Sequence, residues 1–163
     1  PFSQVATISN DPVDPIPGLS SGAWLNNLSA ETADILIQYA VPHNAPPPLM
    51  FMEVRHAGGA FALVDPRSAS YGNREALYGF QVVAAVPTPE IRASVSQYVA
   101  HFKQELAPHL HGGVYMNFLE GDEARACTRQ GFSAEAYARL QALKAKYDPR
   151  NILNHSYDIP PGQ

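Results

Sequence analysis

The clearest periodic pattern in the sequence lies between Thr88 and Leu106. Apolar residues recur there along one stripe at helical spacing: Ile91, Val95, Tyr98, Val99, Phe102 and Leu106. Thr88, Pro89 and Glu90 form a helix start, because a hydroxyl can cap the first turn, proline fits the first helical position and an acid favours the positive end of the helix dipole. The pattern predicts a helix from Pro89 to about Leu106 that packs its stripe on a sheet.

Two more helices are predicted from capping residues followed by apolar spacing. The first follows Ser29, carries Ile35, Leu36 and Tyr39 inward, and ends before Pro42. The second follows Ser133 and ends at the Asp148-Pro149 stop. Its predicted inward residues are Tyr137, Leu140, Leu143 and Tyr147.

Four stretches are predicted to form strands. Residues 49–54 follow a proline run and are rich in apolar side chains, and the Gly58-Gly59 turn leads from them to residues 60–64, which predicts a hairpin. Residues 77–86 are apolar on both faces except at Gln81, and residues 114–119 form the fourth stretch. Residues 120–123 hold Glu120, Asp122 and Glu123 and are expected to form a solvated turn.

The predicted fold class is α+β, with an antiparallel sheet that has helices packed on one face. The other face would be open towards a partner. Residues 1–18, with Pro12, Pro15 and Pro17, predict an irregular Pro-rich arm. Residues 19–159 would form the domain, and 160–163 a short tail.

Composition narrows the function classes further. The chain has 163 residues and a net charge of −4, and no basic stripe is present to bind nucleic acid or an anionic membrane. No apolar run approaches the roughly 18 residues of a membrane span. The single cysteine, Cys127, excludes an internal disulfide and favours a reducing, cytoplasmic location. A chain that begins at Pro1 is expected to be processed or cut from something longer.

Polar residues on strands are the candidate chemistry. On a strand over residues 114–119, Tyr115 and Asn117 would share one face, and Gln81 would be the polar exception on another strand. A phenol and amides together suit orienting a substrate hydroxyl and taking its proton. A strand tyrosine is also common as a packing residue, so ligand-binding or oligomerisation modules without catalysis remain alternatives. The His109-Leu110-His111 pair lacks further ligands nearby in sequence, so no metal is expected.

Three motifs of the last third of the chain resemble those of the berberine-bridge-type flavin oxidases. They are Tyr-x-Asn-aromatic at residues 115–118, Tyr-x-Arg-Leu at 137–140, and Lys-Tyr-Asp-Pro-x-Asn at 146–151. The resemblance covers about residues 50–86 and 113–159, and includes Gly58-Gly59 and the segment from Tyr71 to Arg74. Asn73 stands where the family frequently has histidine.

The resemblance implies an FAD-dependent oxidoreductase that passes a hydride from a small organic substrate to flavin, which oxygen reoxidises. It implies that Tyr115 orients or deprotonates the substrate, that Gln81 hydrogen-bonds it, and that Asn117 and Asn151 support the cofactor. It also implies that this chain is the substrate-binding C-terminal domain and that its partner is a missing N-terminal FAD-binding domain. The chain alone is therefore expected to be inactive and without bound FAD.

Overall fold

The computed structural model of the chain describes residues 4, 8, 14–155 and 157–162. Within them, three strands form one antiparallel sheet and four α-helices accompany it, so the α+β prediction is confirmed. Most of the predicted Pro-rich arm lies outside the described residues, and its last residue, Gly18, already belongs to a strand. The elements in chain order are β1 Gly18–Leu25, α1 Ala30–Ala40, β2 Phe51–His56, β3 Tyr78–Ala85, α2 Pro89–Leu106, α3 Gly121–Cys127 and α4 Ala134–Tyr147.

The sheet has β3 at its centre, with β1 and β2 paired antiparallel on its two sides. Phe80, Val82 and Ala84 of β3 point to one face and are fully buried. Gln81 points to the opposite face, and in the register it stands between Gly22 of β1 and Glu53 of β2. One face therefore carries the apolar core and the other carries the polar exception.

Helices α1 and α2 cover the apolar face. The α2 stripe is buried at Val95, Val99, Phe102 and Leu106, as its spacing predicts, whereas Ile91 at the start of the helix is 41% exposed. These side chains form one core with Leu36 and Tyr39 of α1 and with the inward residues of β1 and β3. The layer of helices on one face of the sheet follows from this packing.

The three predicted helix starts are confirmed by their caps. Ser29, Thr88 and Ser133 each have extended backbone geometry and accept a hydrogen bond from a backbone N–H in the first turn. Such a cap satisfies one of the N–H groups that the first turn leaves without a helical partner.

The predicted hairpin is wrong. Residues 60–64 form no strand, because β2 pairs with β3 and Gly59, at φ 64°, turns the chain into a short 3-10 helix, Gly59–Phe61. Leu63 is consequently 85% exposed. The sheet partner on the other side is β1, whose sequence, Gly18–Leu25, the pattern of apolar residues did not indicate.

Two further expectations fail near the C-terminus. The expected solvated turn is helix α3, and Glu123 forms an ion pair with Lys103 of α2. Helix α4 has no buried residue, and two of its predicted inward side chains, Leu143 and Tyr147, are 49% and 72% exposed. No element of the described chain covers that part of α4, which explains the exposure.

Candidate functional site

The segment that carries Tyr115 is not a strand. Tyr115 has extended backbone geometry, and Met116–Phe118 form a 3-10 turn in which the N–H groups of Phe118 and Leu119 donate to the carbonyls of Tyr115 and Met116. The segment is not part of the sheet, in which β3 pairs with β1 and β2. Since the turn brings residues three apart to the same side, the rings of Tyr115 and Phe118 meet with their centroids 4.5 Å apart.

Tyr115 and Asn117 are nevertheless together. The Asn117 amide Nδ2 donates to the Tyr115 hydroxyl oxygen at 3.0 Å, and Asn117 is exposed whereas Tyr115 is half-buried. A donated hydrogen bond stabilises negative charge on a phenol oxygen. The Tyr115 hydroxyl therefore lies near the surface with the Asn117 amide as its hydrogen-bond partner.

Five aromatic side chains pack around Tyr115 on the sheet face that lacks helices, and we call them the aromatic cluster: Trp24, Phe61, Tyr71, Tyr115 and Phe118. Trp24 lies 5.6 Å from the Tyr115 ring and 6.0 Å from Phe61, and Tyr71 lies 5.9 Å from Tyr115, all as centroid distances. Tilted and edge-on pairs at such distances are favourable arrangements of aromatic rings. The cluster holds the Tyr115 ring from several sides.

Two guanidinium groups border the aromatic cluster. Arg74 lies over Phe61 and Tyr71, at 5.2 and 4.9 Å from the ring centroids, and Arg55 lies 4.9 Å from the Phe118 centroid. Burial, and to a lesser degree Tyr115, raise the pKa of Tyr71 well above its usual range although Arg74 opposes the shift. Tyr71 therefore stays a neutral phenol, and its buried hydroxyl has no hydrogen-bond partner among the described residues.

Gln81 is connected to the cluster through Ser20. The Gln81 Nε2 donates to the Ser20 Oγ at 2.9 Å, and that Oγ donates in turn to the Phe118 carbonyl at 2.9 Å. These hydrogen bonds fix the Gln81 amide on the sheet face that holds Tyr115. Phe118 connects the two, because its carbonyl binds Ser20 and its ring packs against the Tyr115 ring. Gln81, Tyr115 and Asn117 thus share one side of the domain.

Glu53 and Arg55 are candidate residues that the sequence analysis missed. Glu53 lies directly opposite Gln81 in the antiparallel register, so the two side chains share a face. The Arg55 guanidinium binds the Glu53 carboxylate at 2.6 Å. The available signal was the alternation of Glu53 and Arg55 with Met52 and Val54, which indicates a strand with one polar face.

Asn151 lies elsewhere, in the turn after α4. It has φ 51°, and its Nδ2 donates to Asp158 at 3.1 Å, but no described contact joins it to Tyr115, Asn117 or Gln81. The segment that follows it returns to the site, because the Tyr157 hydroxyl donates to the carbonyls of Met116 and Leu119. Asn151 thus belongs to the C-terminal segment whose Tyr157 holds the backbone of the Tyr115 segment.

Asp148 fixes this closing turn. Its carboxylate accepts from Lys144 at 2.6 Å and from the backbone N–H groups of Ile152 and Leu153 at 2.8 and 2.9 Å. These bonds, that of Lys144 first, lower the pKa of Asp148 to about 2. The carboxylate therefore terminates α4 and orders the residues after it.

The two residues expected to support FAD differ in how well they fit that role. Asn117 is exposed beside Tyr115 and can offer its amide to the polar edge of a flavin ring. The Asn151 Oδ1 is a buried acceptor that has no partner among the described residues, so it could accept from an outside donor. Both side chains are compatible with the cofactor, and Asn117 is the one that lies beside the candidate base.

A concavity lies on the opposite side of the domain from the aromatic cluster. An open groove of about 630 Å³ runs beside α1, lined by Ile37, Tyr39, Val41, His43 and Tyr98 among others, and contains none of the candidate residues. In the described part of the chain, no three metal-binding side chains are grouped to hold an ion, and no helix is long and apolar enough to cross a membrane. The volume of this groove therefore does not identify the candidate site. The site is identified by the polar and aromatic side chains on the sheet face without helices.

Comparison with known proteins finds a family match in the part of the chain that contains Tyr115. The family described as "Berberine and berberine like" matches residues 114–160, which include Tyr115, Asn117 and Asn151. A chitooligosaccharide oxidase from Gibberella zeae is 24% identical over 118 residues, covering 68% of this chain and 24% of that protein. The resemblance to the berberine-bridge-type oxidases is thereby confirmed, and members of that family are FAD-dependent.

Solved structures show that nearly all of the chain shares the fold of larger proteins. The Physcomitrella patens BBE-like 1 protein superposes with a TM-score of 0.76 at 19% identity, covering 96% of this chain and 33% of that one. A carbohydrate oxidase from Microdochium nivale, solved with a substrate analogue, gives 0.72 at 18% identity, covering 93% and 34%. The chain thus spans about a third of the length of the structures that it matches.

Proposed function

We propose that this chain is the substrate-binding part of an FAD-dependent oxidase and that Tyr115 is its catalytic base. The observation that carries the proposal is the Tyr115–Asn117 pair at the surface of the aromatic cluster. The pair lies in the segment that matches the berberine-like family. The FAD-binding portion would be supplied by sequence that this chain does not contain, as its relatives are about three times as long.

The substrate would lie on the sheet face beside the aromatic cluster. Binding sites for small molecules are typically apolar and aromatic surfaces with a few polar groups that fix orientation. The aromatic cluster supplies the first, and Gln81 and Glu53 supply the second. Because relatives are named for oxidising chitooligosaccharides and carbohydrates, we infer a hydroxylated substrate such as a sugar, with its ring against the cluster.

The reaction assigned to the site is oxidation of a substrate carbinol. Tyr115 acts as a phenolate, which the hydrogen bond from Asn117 stabilises; it takes the hydroxyl proton and becomes a neutral phenol while the adjacent C–H leaves as hydride and the carbinol becomes a carbonyl. The Gln81 amide is held by Ser20 through its nitrogen, which leaves its carbonyl to accept from a substrate hydroxyl. When bound, FAD would supply the acceptor for the hydride, with oxygen as the final acceptor of both electrons.

The proposal is tested by Tyr115→Phe in the full-length, FAD-loaded protein. Stopped-flow reduction of the flavin by chitobiose or glucose should slow by about 100-fold, the size of a general-base contribution. Folding should change by no more than about 0.5 kcal/mol, because only one partly exposed hydroxyl is removed. Tyr147→Phe is the matched control, since Tyr147 is 72% exposed and remote from the cluster.

Reduction of the Tyr115→Phe protein at the wild-type rate, with the fold intact, would show that the phenol is a packing residue. A protein that binds sugars but reduces no flavin would instead support a non-catalytic ligand-binding module.

A further inference from the structure

We propose that Asn73 is a positioning residue that holds the Tyr115 segment against the aromatic cluster. Its catalytic consequence rests on the proposed function of Tyr115, whereas its structural part can be tested separately. Asn73 lies in the connection between β2 and β3, forty residues or more from the groups it binds. It therefore links parts of the chain that secondary structure leaves unconnected.

The side-chain amide of Asn73 connects its own loop to two other backbone segments, at Val114 and at Gln130. Its Nδ2 donates to the Gln130 carbonyl at 2.9 Å and lies 3.5 Å from the Val114 carbonyl, at the outer limit of a hydrogen bond. The Gln130 carbonyl also accepts from the Val114 N–H at 3.3 Å. Val114 is thus held on both its N–H and C=O sides, immediately before Tyr115.

The backbone around Asn73 is built for this contact. Asn73 has φ 59°, a left-handed conformation that asparagine tolerates better than most residues. Gly113 leaves the room that the amide occupies, since a Cβ at that position would lie 2.0 Å from the Asn73 Oδ1. A side chain at position 113 and the amide at position 73 are therefore mutually exclusive in this arrangement.

The Tyr115 segment needs such a tie because it lacks a sheet partner. Among the described residues, its internal hydrogen bonds are the two turn bonds of the 3-10 helix and the side-chain bond from Asn117 to Tyr115. Ser20 and Tyr157 anchor its far end at Phe118, Met116 and Leu119. At the near end, Trp24 holds Gly113 with a long N–H bond of 3.4 Å. Among the described residues, Asn73 is the side chain that hydrogen-bonds to the backbone between Gly113 and Tyr115.

The test compares Asn73→Gly with Asn26→Gly as a matched control. Glycine keeps the left-handed backbone and removes the amide. Asn26 makes a similar amide-to-carbonyl bond, to Leu110 at 3.0 Å, that does not hold the Tyr115 segment. In protein labelled with ¹³C-tyrosine, the Tyr115 ring resonance, assigned by its loss in Tyr115→Phe, should move towards its unfolded value in Asn73→Gly and stay in place in Asn26→Gly.

Hydrogen exchange gives a second readout. Exchange of the Val114, Phe118 and Leu119 amides should accelerate about tenfold in Asn73→Gly, as expected when a local opening loses one or two hydrogen bonds. Amides of the ladder between β1 and β3 should exchange as in the wild type. Asn73→His should restore protection in part, because histidine also tolerates the left-handed region and offers a ring N–H.

Gly113→Ala provides an independent perturbation. It should expel the Asn73 amide and reproduce the Asn73→Gly changes, and the two substitutions together should do little more than either one. Additive effects, or an unmoved Tyr115 resonance with wild-type exchange in Asn73→Gly, would overturn the inference.

Activity separates this inference from the proposed function. In the FAD-loaded full-length protein, Asn73→Gly should lower kcat for chitobiose about tenfold with little change in KM, since the base is misplaced and the binding face is kept. If Tyr115→Phe slows the reaction and Asn73→Gly does not, positioning for catalysis is refuted and the proposed function stands. If Tyr115→Phe is as fast as the wild type, the proposed function fails, and the resonance and exchange data still decide the role of Asn73.

Discussion

Truncation of Phe102 to alanine tests the layer of helices on the sheet. Phe102 is 1% exposed, and its ring contacts those of Tyr39 and Phe80 with centroid distances of 5.0 and 5.2 Å. Buried Phe→Ala changes cost about 3–5 kcal/mol. The two ring contacts add specific aromatic energy of about 0.5–1.5 kcal/mol each. We therefore expect a loss in the upper part of that range, about 4–5 kcal/mol in the free energy of unfolding.

The measurement is urea unfolding followed by far-UV circular dichroism, with the m-value checked so that a change in midpoint reports stability. Ile91→Ala is the control on the same apolar stripe, and because Ile91 is 41% exposed it should cost less than about 1 kcal/mol. A loss of about 4–5 kcal/mol is a large share of the usual stability of a domain. If Phe102→Ala fails to fold, Phe102→Leu should still fold and cost about 1.5 kcal/mol.

A loss below about 1 kcal/mol for Phe102→Ala, or equal losses at Phe102 and Ile91, would refute the reasoning. Either result would mean that the α2 stripe faces solvent or another chain, so that the sheet is not covered from that side.

Two further predictions concern the residues that cap α4, Ser133 and Asp148. Because the pKa of Asp148 is lowered to about 2, its ionised form stabilises the fold above the usual carboxyl range, and this contribution is lost as pH falls towards 2. Asp148→Asn should melt below the wild type at pH 6, and the difference should shrink in scans at pH 4, 3 and 2; a constant difference would contradict the assignment. Ser133→Ala removes the cap that accepts from the Ala136 N–H at 3.1 Å and should cost about 1 kcal/mol in urea unfolding, whereas Ser133→Thr should keep most of it.

The helices could be predicted from the sequence because their signals are local. Ser29, Thr88 and Ser133 each act within one turn of chain, and the α2 stripe repeats often enough to define a face. What α4 packs against is not a local property. Leu143 and Tyr147 have the right spacing, but burial requires a partner surface that the described chain does not provide.

The strands could be predicted only in part because their pairing is decided by distant residues. The Gly58-Gly59 turn is compatible with a hairpin, yet β2 pairs with β3, which lies about twenty residues further on. The prediction for 114–119 failed for the same reason, since alternation within a segment cannot report whether another strand pairs with it. Tyr115 and Asn117 come together all the same, through a side-chain bond around a turn, and their catalytic and cofactor roles stay predictions.

Gly22 weakened the strand signal of β1 in the sequence, and the same glycine makes room for the aromatic cluster. Gly22 is a poor strand former, but a Cβ there would lie 2.5 Å from the Phe80 carbonyl and 3.1 Å from the Phe118 side chain. On β3, a Cβ at Gly79 would lie 3.0 Å from the Trp24 ring. The cluster can therefore lie directly on the sheet only where strand propensity is given up. Glycine at positions 22 and 79 lowers strand propensity where the candidate site lies, as expected when function and folding compete for the same positions.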